Sequence, residues 1–183
     1  MAGTDEVTVV VPAYNEGDRI KPVVRELTQT YRVLVVDDGS TDNTASEAES
    51  AGATVLRQPQ NTGYVAALKR GFQGVTSEVV VTFDADGEHR PDDIERVVQP
   101  VIEDRMDLVL GARTTIPRPS ERILSRLTQL KVDVTDSGTG LRALRIGLAR
   151  DLDLDTACTC GTFVLEAAGE GARIGEVAIE TRT

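Results

Sequence analysis

A chain of 183 residues has the length of one ordinary domain and can bury a sizeable core, yet aromatic residues make up only 3% of it and Trp is absent. That core must therefore be built from Val, Leu, Ile and Ala. The formal charge of -10, from 30 acidic against 20 basic residues, argues against a nucleic-acid partner, whose phosphates such a surface repels.

Lys occurs only at Lys21, Lys69 and Lys131, and every other basic residue is Arg. An acidic, Lys-poor, Arg-retaining composition is associated with halophilic proteins of high-salt cytoplasm, and a GC-rich genome gives the same bias. Cys158 and Cys160 are too close for an easy disulfide, and a single histidine, His89, argues against a zinc centre. The N-terminus has no basic segment followed by an apolar stretch, and no apolar run approaches the roughly 18 residues of a membrane span. The expectation is a soluble or peripheral protein of the cytoplasm.

Taken in chain order, Val-rich runs and amphipathic stretches alternate. Strands are predicted at 7–11, 33–36, 54–56, 79–83 and 108–110, with helices at 19–29, 44–50, 65–72 and 92–102 between them. This order predicts an α/β fold with a mainly parallel central sheet and helices on both faces. Asp42 and Thr44 are placed to cap the second helix, and Pro91 with Asp92 and Asp93 suits the opening of the fourth. After residue 112 comes a Pro-marked loop, then a short helical stretch and a Gly-rich turn. No repeat is visible.

In such a fold ligands dock at the carboxyl ends of the strands. The run at 79–83 leads into Asp84-Ala85-Asp86, two carboxylates whose alternation along an extended chain points them the same way, toward one hard divalent cation. A solvated Asp-rich turn is the competing reading of the pair alone. The first strand runs into Pro12-Ala13-Tyr14-Asn15-Glu16-Gly17, where a dinucleotide site would show a Gly fingerprint. Here instead are a stiff turn, a ring able to lie against a base, and a carboxylate able to accept bonds from a ribose or base. The second strand ends in Asp37-Asp38-Gly39-Ser40-Thr41-Asp42, where one acid suits a base or ribose edge and others suit a helix cap.

Those segments, with Asn61-Thr62-Gly63, resemble the successive signatures of family 2 glycosyltransferases of the GT-A fold. More narrowly, the residues from Asp84 to Pro91, Gly111-Ala112-Arg113 and Asp136-Ser-Gly-Thr-Gly-Leu-Arg-Ala143 are similar to the polyprenol-phosphate hexose synthases, the dolichyl-phosphate mannose and glucose synthase group. The resemblance covers residues 7–179 and implies one GT-A domain over 1–183, without C-terminal membrane helices.

It further implies that Pro12, Ala13, Tyr14, Glu16, Val36 and Asp38 hold the nucleoside of a UDP- or GDP-linked sugar, with Ala85 beside them. By the same likeness Asp84, Asp86 and Glu88 surround Mg2+ or Mn2+, Glu88 standing where the group usually has Gln. Asp86 and Asp136 are the implied catalytic residues, Asp136 as general base or as a group that positions the acceptor. The implied activity is a metal-dependent, inverting hexosyl transfer to dolichyl or polyprenyl phosphate. Chemically, a leaving nucleoside diphosphate gains negative charge, which a cation and a nearby Arg stabilise, and Arg113 is the candidate. Lys69 reads better as a solvated helix-face charge.

Between Arg113 and Lys131 the basic residues Arg118, Arg122 and Arg126 join Ile123, Leu124, Leu127 and Leu130 at helical spacing. A basic amphipathic helix suits an anionic membrane surface or a lipid phosphate, and it equally suits a core-facing helix with a solvated face. Relatives commonly carry a longer insert here, and they continue past the last strand. The acceptor site is then built differently, or a membrane protein partner completes it, or the chain is a non-catalytic nucleotide-sugar-binding subunit. Its expected place is the cytoplasm, peripheral on the inner face of the cell membrane.

Overall fold

The computed structural model describes residues 6–114, 128–129, 131–154 and 161–182. Along them run β1 (Val7–Ala13), α1 (Ile20–Leu27), β2 (Arg32–Asp37), α2 (Thr44–Ser50), β3 (Thr54–Arg57), α3 (Tyr64–Gly74) and β4 (Val79–Thr82). There follow α4 (Asp92–Ile102), β5 (Leu108–Arg113), β6 (Arg142–Arg145), α5 (Ile146–Asp151), α6 (Thr162–Gly169) and β7 (Ile174–Ile179). The strands form one seven-stranded sheet in the order β3-β2-β1-β4-β6-β5-β7. Neighbours are parallel except at β6, which is antiparallel to both β4 and β5.

The Val-rich runs are continuous because both faces of the sheet are covered. Alternation divides them: Val7, Val9 and Val11 of β1, with Val33 and Val35 of β2 and Val79 and Val81 of β4, pack under α1 and α4. Val10, Leu34, Val36 and Val80 face the other way, onto Leu68 and Phe72 of α3 and Phe163 and Val164 of α6. Each such side chain, fully buried, contributes about 1.5–3 kcal/mol, so the two Val-rich layers supply the core that the missing aromatics do not. The cap of α2 is Asn43, without a side-chain cap bond, rather than Asp42 or Thr44: Thr44 is the first helical residue, and the Asp42 carboxylate just before it accepts its amide at 3.0 Å and its hydroxyl at 2.5 Å, while Asp92, Asp93 and Glu95 fill the first turn of α4.

The elements after β5 are where the structure adds to the sequence reading. Strand β6 is Arg-Ala-Leu-Arg, charged at both ends, yet Arg142 is 1% exposed with its guanidinium 4.6 Å above the Phe163 ring. The expected basic amphipathic helix, with Arg118, Arg122, Arg126, Ile123, Leu124, Leu127 and Leu130, lies outside the described residues, as do Cys158 and Cys160. Among the described residues no helix is long and apolar enough to cross a membrane.

Candidate active site

Strand β1 is central: the chain builds β2 and β3 on one side of it and then returns to place β4 on the other. Loops leaving the carboxyl ends of β1 and β4 consequently diverge, and a crevice opens between them. It holds a cavity of about 280 Å³. Of the residues singled out in the sequence, Pro12, Ala13, Tyr14, Glu16, Asp38, Asp84, Ala85 and Asp86 line it, together with Tyr64 and Ala67 of α3, which sequence reasoning missed. Val36 does not line it, because its side chain is fully buried in the core. Glu88, Arg113 and Asp136 also stand outside its walls.

The end of the cavity beside β1 and β2 is made by two loops sewn together. Asn15 sits at φ 54, a left-handed conformation that Asn tolerates, and its side chain accepts the Thr41 amide at 2.9 Å while its own amide donates to Ser40 at 2.9 Å. The amides of Glu16 and Gly17 donate to Thr44 Oγ1 and Asp42 Oδ2 at 2.8 and 3.1 Å. Gly39 is required here, since a Cβ would lie 2.5 Å from the Gln60 backbone. Asp38, beside it, accepts four bonds: from Gln58 Nε2, the Thr62 amide and the Thr62 hydroxyl at Oδ1, and from the Gly63 amide at Oδ2, all within 2.7–2.9 Å. Asp38 thus lines the cavity and braces the loop that leads into α3.

At the acidic end Asp84 is clamped on two sides. Tyr64 donates its hydroxyl to Asp84 Oδ1 at 2.9 Å, and a Cβ built on Gly140 would fall 1.8 Å from Asp84 Oδ2. Thr82 holds that turn by donating to the Gly140 carbonyl at 2.8 Å. Burial, then the Asp84 charge, pushes the Tyr64 hydroxyl well above its ordinary pKa, so it remains a proton donor at any working pH. Asp86 Oδ1 accepts the Glu88 amide at 2.9 Å, and the Glu88 side chain is exposed.

Among the described residues no group of three or more His, Cys, Asp or Glu is disposed to hold a metal ion. The expected three-carboxylate cage is therefore not preassembled. Asp84 and Asp86 remain as two hard oxygen donors on one cavity, a set that fits Mg2+ or Mn2+, which use one or two carboxylates and take the rest of their shell from water and phosphate. His89 is 2% exposed, with its ring edge-on to Phe83 at 5.8 Å and, among the described residues, no partner for Nδ1. Burial lowers its pKa, against the pull of Asp84 and Asp86.

Asp136 and Arg113 were each expected at the site, and the structure joins them. Arg113 donates from Nε and one terminal nitrogen to the two oxygens of Asp136 at 2.7 and 3.0 Å, and its amide adds a third bond at 3.1 Å. Asp136 is 0% exposed and the Arg113 side chain 7%. Glu176 of β7 fixes the turn that carries Asp136 by accepting the amides of Thr135 and Asp136 at 2.7 and 3.0 Å. Both oxygens of Asp136 are thus engaged in a charge-assisted fork, away from the cavity wall.

The chain matches the model of "Glycosyl transferase family 2" over residues 8–165. It is 35% identical to the UDP-N-acetylglucosamine–dolichyl-phosphate N-acetylglucosaminyltransferase of Methanococcus voltae, over 96% of this chain and 85% of that protein. It is 32% identical to the undecaprenyl-phosphate 4-deoxy-4-formamido-L-arabinose transferase of Serratia proteamaculans, over 76% of this chain and 49% of that protein. In fold it is similar to glucosyl-3-phosphoglycerate synthase of Mycobacterium tuberculosis, solved with Mn2+ and UDP-glucose: the TM-score is 0.80 at 23% identity, covering 97% of this chain and 70% of that one.

Proposed function

The chain belongs to glycosyl transferase family 2, it has the GT-A fold, and from that premise we propose that it is a metal-dependent, inverting hexosyltransferase of the polyprenyl-phosphate sugar type. Its donor is a UDP- or GDP-linked hexose and its acceptor a dolichyl or other polyprenyl phosphate. The carrying observation is one cavity that brings the Pro12 to Glu16 turn and Asp38 together with Asp84 and Asp86. The acceptors named for the Methanococcus and Serratia relatives support the lipid phosphate.

In this reading the base lies against Tyr14, whose ring is exposed beside the cavity, and the ribose meets the β1 and β2 loops. The diphosphate points to Asp84 and Asp86, which, with Glu88 at the rim, would hold a divalent cation; when bound, it would supply charge neutralisation to the departing nucleoside diphosphate. The acceptor's phosphate oxygen attacks the anomeric carbon from the face opposite the leaving diphosphate, which departs with the bonding pair. A phosphate monoester is already anionic near pH 7, so no base is needed, in keeping with the engagement of Asp136 by Arg113. Arg113, held in place by Asp136, orients that phosphate. This domain works on the cytoplasmic face of the membrane, alone or with a membrane partner.

The test is release of nucleoside diphosphate from UDP- and GDP-sugars by the purified protein with Mn2+ and a short-chain polyprenyl phosphate. We expect release to require the lipid phosphate, to stop with EDTA, and to fall by about 10²–10³ in Asp86→Ala, with inversion visible in the product's anomeric proton coupling. Undiminished release in Asp86→Ala refutes the metal role. Donor binding without turnover on any acceptor supports a nucleotide-sugar-binding subunit instead.

A further inference from the structure

We infer that Tyr64 is a positioning residue for the metal carboxylate: its hydroxyl, with the backbone of Gly140 opposite, fixes how Asp84 faces the cavity beside Asp86. This deepens the donor-site reading above and rests on it.

Tyr64 is 37% exposed at the cavity wall, and its hydroxyl reaches across to donate to Asp84 Oδ1 at 2.9 Å. On the opposite side a Cβ on Gly140 would fall 1.8 Å from Asp84 Oδ2, so any larger residue there would push the carboxylate aside. Asp84 is therefore held from two elements that are distant in sequence.

Tyr64 is itself placed by the nucleoside end of the same cavity. It is the first residue of α3, and the two residues before it, Thr62 and Gly63, give their amides to Asp38 at 2.8 and 2.7 Å. A continuous line of bonds runs from Asp38 through residues 62–64 to Asp84. The acid nearest the base and the acid nearest the diphosphate are thereby held at a set separation. Partners of metal-bound carboxylates and imidazoles that stand one bond further out typically carry 10–100-fold in metal affinity.

The experiment is calorimetric titration of UDP and GDP into the protein, once with Mn2+ and once with EDTA, alongside Mn2+ electron paramagnetic resonance. Tyr64→Phe removes only the hydroxyl. The expected result is loss of about 10–100-fold in the Mn2+-dependent part of the affinity, with the affinity in EDTA and the melting temperature unchanged. Asp84→Ala should abolish the Mn2+ gain, and adding Tyr64→Phe to it should cost nothing more. Retention of the full Mn2+ gain by Tyr64→Phe overturns the inference. So does an equal loss with and without Mn2+, which makes Tyr64 a wall for the nucleotide, and so does a further loss in the Asp84→Ala background. If the unaltered protein shows no Mn2+-dependent binding of either nucleotide, the donor-site reading itself fails, and that outcome is recognisable before any variant is made.

Discussion

Replacing Asp136 by Ala tests the pairing with Arg113 most directly. The carboxylate is 0% exposed, the Arg113 side chain is 7% exposed, and three bonds of 2.7–3.1 Å join the two residues. Deleting the acid removes the Asp136 fork from a nearly buried guanidinium, and breaking such a pair from one side costs about 3–5 kcal/mol. In a chain of this size 1 kcal/mol moves the midpoint by about 2–4 °C, so the melting temperature should drop by about 6–20 °C. Urea unfolding of Asp136→Ala, Arg113→Met and the double variant supplies the energies. The double variant should recover part of the loss, with a coupling of about 1–3 kcal/mol. Activity should follow the same pattern: if Asp136 acts through Arg113, the double variant loses no more turnover than the worse single one. A loss under about 1 kcal/mol in Asp136→Ala, or strictly additive energies and multiplying rate losses, would refute the pairing as the reason for Asp136.

Gly140→Ala should displace Asp84, because the new methyl would sit 1.8 Å from its carboxylate oxygen; we expect about 1–3 kcal/mol of destabilisation and loss of Mn2+-dependent nucleotide binding, read by thermal shift with and without metal. A third variant addresses pH. The Arg173 side chain, followed by its amide, and Arg145 hold Asp107 well below the ordinary carboxylate pKa of 3.8. A depressed folded-state value means stability that is present above the unfolded pKa and lost as pH falls through the folded one. The melting-temperature gap between the native protein and Asp107→Asn should be widest above about pH 5 and close on acidification. It should also narrow in 1 M KCl (about 3 Å screening), since Arg173 is half-exposed.

The first half of the fold was legible because Val7, Val9, Val10 and Val11, and their counterparts in β2 and β4, are apolar on both alternations, which only a doubly covered sheet requires. Helices α2 and α4 announced themselves by Asp42, Thr44 and the Pro91 to Asp93 opening. Strand β6 was not legible, since Arg142 and Arg145 mark a surface strand in any local reading, and the cover of Arg142 by Phe163 comes from a helix 21 positions away. At the site, Asp38, Asp84 and Asp86 could be found as acids at strand ends, but their partners could not. Tyr64 falls on a helix start, where nothing in the residue type signals an acceptor 20 positions on, although its place directly after Asn61-Thr62-Gly63 was the available clue. Arg113 and Asp136 were each noticed, and only the fold made them one unit.

The reversed direction of β6 has a consequence for how the protein can be altered. The chain leaves the sheet at Arg113 and rejoins it at Arg142, and both points lie on the edge that carries Asp84, with Thr82 opposite Arg142 and Leu110 opposite it on the other side. The connection between them therefore starts and ends at the edge of the sheet that carries the cavity. Its length can change without shifting a single strand register, and closure costs grow only with the logarithm of that length. That stretch is therefore a natural place for exchange, provided the turn from Asp136 to Leu141 is kept, because Gly140 lies against Asp84 and Asp136 pairs with Arg113: a segment taken from a relative ahead of that turn should change the acceptor preference with the cavity left as it is.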